Sequence, residues 1–243
     1  MLEFITKKDY FIASSVEKNL RKGVFPWHLK SVQDAIILHN LEGYKNKIIG
    51  EIGGGDSRIL PYLSLSNSCT NIEKFEGNHG GPSKEIVFDN IENVRCWIGN
   101  SSEHIESNKF DILFSVSVVE HIENHKLEDF IEDCYRILKP GGIMLHAVDM
   151  YLPQNNDYLH KGKSYFDYCN SRISLMKAAY DKFKFLPIRD ILIEPNENLE
   201  FNVSYATNPD NIMKTWNLVT KDVEMNKLRE NSQSVSLLWG GKK

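Results

Sequence analysis

Between residues 47 and 149, short apolar runs alternate with segments whose apolar positions recur every three or four residues, which predicts strands joined by helices. KIIGEI (47–52), CTNIEKF (69–75), VRCWIG (94–99), FDILFSVSVV (110–119) and GIMLHAVDM (142–150) read as strands. FDILFSVSVV is almost wholly apolar, as expected of a strand covered on both faces. RILPYLSL (58–65) reads as a short helix that tolerates Pro61 in or near its first turn. KLEDFIEDCYRIL (126–138) sets Leu127, Phe130, Ile131, Cys134, Ile137 and Leu138 on one stripe and stops at Lys139-Pro140-Gly141-Gly142, a helix packed on a sheet. Strands that alternate with helices in this way predict a parallel, doubly wound sheet.

The flanks differ in pattern. Before the alternating region, HLKSVQDAIILHNL (28–41) has the spacing of an amphipathic helix, so residues 1–45 are expected to form a helical cap. After it, residues 150–189 hold Tyr151, Tyr158, Tyr165, Phe166 and Tyr168, then a helix through RISLMKAAYDKF. This aromatic insertion is read as a substrate cover. LEFNVSYA (199–206) and SVSLLWG (234–240) are expected as a terminal strand pair, with a helix between them opening at Asn208-Pro209. The expectation is therefore one α/β domain, 1–243, with a core at 46–149 and C-terminal strands and helix at 190–243. Its sheet would be doubly wound, mainly parallel and seven-stranded, with helices on both faces.

Composition narrows the class. A hydrophobic fraction of 41% with 26% charged residues is ordinary for a globular protein with a sizeable core, and a formal charge of −4 gives no footprint for nucleic acid. Cys69, Cys96, Cys134 and Cys169 lack zinc-ligand spacing and are expected as reduced, mostly buried thiols. No apolar run approaches a membrane span and MLEFITKKDY lacks the order of a signal peptide, so a cytoplasmic location is expected.

KIIGEIGGGDS (47–57) carries the chemistry. Here an apolar strand ends in a carboxylate and opens into three glycines, which allow positive φ and close approach of a ligand to the backbone. A dinucleotide turn needs a third glycine where Arg58 stands. Glu51 and Asp56 would repel phosphate and attract a cation, so a sulfonium compound, S-adenosylmethionine, suits the turn better than NAD. Ser57 is placed to cap the following helix.

The order of motifs resembles that of the class I, Rossmann-like S-adenosylmethionine-dependent methyltransferases. The resemblance rests on Glu51-x-Gly53-x-Gly55, on Phe110-Asp111-Ile112-Leu113 leading to Ser115 and Glu120-His121, and on Leu138-Lys139-Pro140-Gly141-Gly142 before a strand. It implies that Glu51, Gly53 and Gly55 surround the methionine half of the cofactor. An acidic residue ending the second strand would hold the ribose hydroxyls: Glu73, 22 positions after Glu51, or Glu76 as the alternative. Asn100, beside Ser101, stands where the family usually has an acidic residue against the adenine amino group, and Ser115 completes the implied cofactor set.

Methyl transfer is an in-line displacement that rests largely on positioning, with a base needed when the acceptor is a hydroxyl. The carboxyl ends of the strands offer His121, His146 and Asp149 as candidates. No metal site is expected, although Glu120, His121 and Asp149 are the residues a divalent cation would use. A Gly77–Pro82 turn carrying His79, and Trp27 and His28 in the cap, are further possible contacts. The expected acceptor is a small hydroxylated molecule or glycan, methylated at oxygen, and self-association is compatible. The alternatives are a non-catalytic cofactor-binding partner, an aminopropyltransferase-like enzyme, or an NAD-dependent enzyme on the same sheet.

Overall fold

A computed structural model describes residues 1–19, 29–77, 81–153, 159–160, 163–184, 196–199 and 232–243. Its strands are β1 (Leu2–Phe4), β2 (Ile48–Ile52), β3 (Ser68–Ile72), β4 (Ile91–Val94), β5 (Phe110–Val116), β6 (Leu138–Pro153), β7 (Leu159–His160), β8 (Lys163–Ser164) and β9 (Ser232–Lys242). The α-helices are α1 (Lys7–Ala13), α2 (Leu29–Leu41), α3 (Leu60–Leu63), α4 (Leu127–Ile137) and α5 (Tyr165–Phe183).

Seven strands form one sheet in the order β1-β9-β6-β5-β2-β3-β4, and β7 pairs with β8 separately. β4, β3, β2, β5 and β6 are mutually parallel, while β9 runs antiparallel to both β6 and β1. Side chains alternate between two cores. Leu113, Met144 and Val148 face α4 and α5, whereas Ile112, Phe114, Leu145 and Ala147 face α1, α2 and α3. The doubly wound arrangement follows from strands that are apolar on both faces.

Asp111 fixes the start of the sheet by accepting from the backbone N–H of Ile48 (2.9 Å) and from Lys139 Nζ (2.8 Å), which ties β2, β5 and β6 together. The α4 stripe is buried as its spacing predicts, at Leu127, Phe130, Ile131, Cys134 and Ile137. All four cysteines are free and buried.

Two details depart from the sequence reading. The third strand is Ile91–Val94 rather than 94–99, because the chain leaves the ladder with β3 after Val94. The N-terminal region is not purely helical: β1 forms the outer edge of the sheet against Leu237–Trp239, and three residues are too few to announce a period of two. With β6 on its other side, β9 has both flanks taken over that stretch, and of LEFNVSYA only Leu199 lies within the described residues, in a 3-10 turn. The helix expected after Asn208 lies outside the described residues. Among the described residues, no helix is long and apolar enough to cross a membrane.

Candidate active site

The parallel strands deliver their carboxyl ends to one edge of the sheet, where a doubly wound fold builds its sites. β2 ends at Ile52, and the chain turns at Gly53 (φ +65°) and Gly55 (φ +53°), conformations that favour glycine. Space is as decisive as φ. A Cβ on Gly53 would lie 2.5 Å from Val118 Cγ2, and one on Gly55 would lie 3.1 Å from Pro82 and 3.9 Å from Glu73 Oε2. Asn71 Nδ2 donates to the Gly55 carbonyl (3.1 Å) and Gly53 N–H to that of Ile72 (2.8 Å), so β3 holds the turn in shape.

Glu51 is buried beneath this turn and accepts the Ser57 hydroxyl. The same oxygen of Ser57 accepts from Ile59 N–H (3.2 Å) and Leu60 N–H (2.9 Å) at the entry to α3, whose N-cap position is held by Ile59 rather than by Ser57. Burial, reinforced by the carboxylates of Asp34 and Glu73, pushes Glu51 up to about 8, against the opposing effects of Ser57 and Arg58. Arg58 turns to α2 and forms a two-pronged ion pair with Asp34, which is 2% exposed.

Glu73 is half-buried just past β3, its Oε1 accepting from the N–H groups of Lys74 (2.7 Å) and Phe75 (3.3 Å). Glu76 is exposed and 3.5 Å from Lys74 Nζ, so the residue beside the glycine turn is Glu73. Asn100 follows Gly99 at a cleft of about 590 Å³ that Ser101, Asp133, Arg136 and Lys243 also line. The Ser101 hydroxyl accepts from Arg136 (2.9 Å), so its side chain turns to α4.

Asp149 is the centre of a polar cluster contributed by three elements. Its Oδ1 accepts from Gln33 Nε2 of α2 (2.6 Å) and lies 2.7 Å from Ser117 Oγ beyond β5, while Lys30 Nζ stands 3.9 Å from Oδ2. Glu120 lies nearby in the 3-10 turn Val119–His121, its two carboxylate oxygens buried without a well-formed hydrogen bond. Burial, with Asp149 adding repulsion, pushes Glu120 up to about 8; Lys30 and the backbone amides of Glu120 and Asp149 only soften this. His121 is more open, with 42% of its side chain exposed and Nε2 3.9 Å from Glu120 Oε1.

His146 and Ser115 lie in the core. His146 is fully buried, stacked on Trp239 (centroids 5.0 Å apart) and 5.7 Å from Phe130, and burial lowers its pKa to about 3. A neutral imidazole sealed in the core has no route to an acceptor. Ser115 Oγ lies 2.8 Å from His146 Nδ1, its hydroxyl committed to the same interior pair. Among the described residues, no three His, Cys, Asp or Glu side chains gather as a metal site. His79, Trp27, His28 and Tyr158 lie outside the described residues.

The sequence reading missed Lys30, Gln33, Asp34, Asn71, Ser117 and Arg172. A signal existed for the first three: their i, i+3, i+4 spacing puts them on one stripe of an otherwise apolar helix. Gln33 and Asp34 are 0% and 2% exposed, and such burial of polar groups needs partners.

Residues 51–146 match the family model described as a methyltransferase domain. That stretch is similar to a methyltransferase domain. The matched span runs from Glu51 through the turn, Glu73 and Glu120 to His146. A curated relative, the ubiquinone biosynthesis O-methyltransferase of Maricaulis maris, is 29% identical over 129 residues, or 50% of each chain. Phosphoethanolamine N-methyltransferase 2 of Haemonchus contortus, solved with S-adenosyl-L-methionine, superposes with a TM-score of 0.54 at 15% identity, covering 87% of this chain and 52% of that one. A methyltransferase from an antibiotic biosynthesis pathway of Anabaena variabilis gives 0.53 at 13% identity over 86% of this chain and 95% of the other. At these identities the solved structures establish the fold. The chain spans about half the length of the curated relative it matches.

Proposed function

We propose that this protein is an S-adenosylmethionine-dependent methyltransferase that methylates a small-molecule or glycan acceptor at oxygen. The observation that carries this reading is the glycine turn walled by Glu51 and Glu73, where a Cβ on Gly55 would sit 3.9 Å from a carboxylate oxygen. A side-chain-free turn beside the Glu73 carboxylate suits a cationic nucleoside and opposes a pyrophosphate, and a bound cation would draw buried Glu51 back toward its ionised form. Glu51, Gly53 and Gly55 would hold the methionine half, Glu73 the ribose hydroxyls and Asn100 the adenine amino group. Bound there, S-adenosylmethionine supplies an electrophilic methyl group on sulfur.

The chain's own residues then have to orient an acceptor and take its proton. Asp149 is the preferred base, because Gln33 and Ser117 fix one oxygen and leave Oδ2 facing Lys30. His121, half-exposed at the rim, is the second candidate. The oxygen acceptor draws support from the O-methyltransferase relative. We read the whole chain as one domain in which α2 and the insertion containing α5 cover the site.

Calorimetric titration tests the reading with S-adenosylmethionine, S-adenosylhomocysteine and NAD. Binding of both sulfur nucleosides, lost in Glu73→Ala and kept in Glu76→Ala, is the expected pattern. Binding of NAD alone, or no binding of either sulfur nucleoside, sinks it.

A further inference from the structure

Arg172 sits on α5 within the aromatic insertion and is 3% exposed, and among the described residues its two terminal nitrogens meet backbone carbonyls rather than a carboxylate, with Nε left without a hydrogen bond. Nη1 donates to the Val119 carbonyl (2.6 Å), and Nη2 to the Ile122 carbonyl and the Tyr168 hydroxyl. The Tyr168 ring lies 5.1 Å from Cζ and covers the cation. Burying a cation is costly unless its donors are satisfied, and a planar fork of donors is suited to bridging two acceptors at once. The two carbonyls it bridges bracket one short turn. That turn carries Glu120 and His121, and it is closed by His121 N–H to Val118 (3.0 Å) and Ile122 N–H to Val119 (3.1 Å).

The turn also reaches the glycine turn. Val118, directly before it, is the side chain that a Cβ on Gly53 would strike. Contact therefore runs from α5, through Arg172 and the Val119–Ile122 turn, to the backbone proposed to cradle the cofactor. α5 itself is anchored by Cys169, Ile173, Met176, Ala179 and Phe183 in the core, so the clasp has a fixed end.

We propose that Arg172 is a positioning residue: it clasps the turn bearing Glu120 and His121 to α5, which keeps Val118 in register over Gly53 and couples the covering helix to cofactor binding. The proposal rests on the cofactor reading above. Without the clasp the turn keeps its own two hydrogen bonds and its contact with the Asp149 backbone but loses its tie to α5, and Gly53 loses a fixed wall.

The test uses the full chain with Arg172→Met, Arg172→Lys and Tyr168→Phe, plus Phe183→Ala as a variant that loosens α5 but keeps the clasp. Three readouts are taken: the urea midpoint, calorimetric affinity for S-adenosylmethionine, and amide exchange at His121 and Ile122. Arg172→Met is expected to weaken the cofactor tenfold or more and to speed both amides at least tenfold, with Arg172→Lys between it and the unsubstituted protein. Phe183→Ala is expected to lower the urea midpoint while leaving affinity within twofold. Affinity within twofold for Arg172→Met, or an equal loss in Phe183→Ala, overturns the proposal. Should Arg172→Met fail to fold, Arg172→Lys and Tyr168→Phe carry the same comparison. If the unsubstituted protein binds no S-adenosylmethionine, the cofactor reading fails first; unchanged exchange at His121 and Ile122 in the variants then overturns the clasp, and faster exchange upholds it.

Discussion

Arg58 and Asp34 are locked in a two-pronged ion pair, Nη2 donating to Oδ1 at 2.9 Å and Nε to Oδ2. Arg58 occupies the place where a dinucleotide turn has its third glycine, and here that position ties the glycine turn to α2. A departure from one binding motif thus serves as the attachment of the cap. The pair also brings charge of both signs near buried Glu51, Asp34 raising its pKa and Arg58 lowering it.

Breaking that pair should cost stability. Asp34→Ala is expected to destabilise the protein by about 2–3 kcal/mol, at or below the low end for a broken buried pair because water still screens Arg58. Arg58 keeps 33% of its side chain exposed. Urea unfolding at pH 7 measures the loss, and a cost below about 0.5 kcal/mol contradicts it.

Gly53→Ala should be harmful in two ways, through φ +65° and through the contact with Val118. We expect a loss on the order of 2 kcal/mol and a more than tenfold weakening of S-adenosylmethionine binding. Gly43→Ala is the control, since a Cβ there meets nothing within 4 Å. Calorimetry and urea midpoints on both variants decide the matter.

Stability should fall as pH rises from 6.5 to 8. Glu51 and Glu120 have pKa values raised from 4.5 to about 8, so between those values the folded state binds more protons than the unfolded chain. Their contribution is full below pH 4.5 and is lost by pH 8. His146 acts oppositely, its pKa lowered from 6.5 to about 3, so its contribution is present above 6.5 and lost as pH falls toward 3. Above pH 6.5 only the glutamate effect remains among these three. Glu51→Gln and Glu120→Gln should each flatten the decline, by up to ~1.4 kcal/mol per pH unit for one group. A rising or flat urea midpoint over this window in the unsubstituted protein refutes the assignment.

Asp133 shapes the loop that carries Asn100. It accepts from Gly99 N–H (2.8 Å), Ser101 N–H (2.9 Å) and Arg136 Nε (2.9 Å). Burial alone would raise its pKa, but these donors outweigh it and hold the carboxyl below its ordinary value. Asp133→Ala is expected to cost about 2–3 kcal/mol by orphaning those donors, with Asp133→Asn recovering part. Amide exchange at Gly99 and Ser101 should quicken in step; slow exchange in a folded Asp133→Ala would show that the loop keeps its shape without the carboxylate.

Much of the fold was legible because its signals are local. A nearly unbroken apolar run in β5, a stripe in α4, the stop at Pro140-Gly141-Gly142 and the glycines after Glu51 each report on a few consecutive residues. The strand ends were less legible. Residues 94–99 are as apolar as a strand, yet β4 stops at Val94 because only Ile91–Val94 find partners on β3. Of the candidate site, Glu51 near the end of β2 and Glu73 just past β3 were legible as candidates from their positions in the chain. His146 stood among the candidate bases because alternation fixes the face of a strand but not what Trp239 and Phe130 do to that face.

By itself the sequence determined the alternation of strands and helices and a glycine turn bordered by carboxylates, since backbone dihedrals and side-chain periods depend on neighbours in the chain. Only the tertiary structure decided which distant groups meet. Gln33 reaches Asp149 across 116 positions, Arg172 reaches Val119 across 53, and β1 closes an edge against β9 at the opposite end of the chain. Those meetings follow from strand order and helix placement, which minimise exposed apolar surface over the whole chain and leave no mark on any short stretch of it.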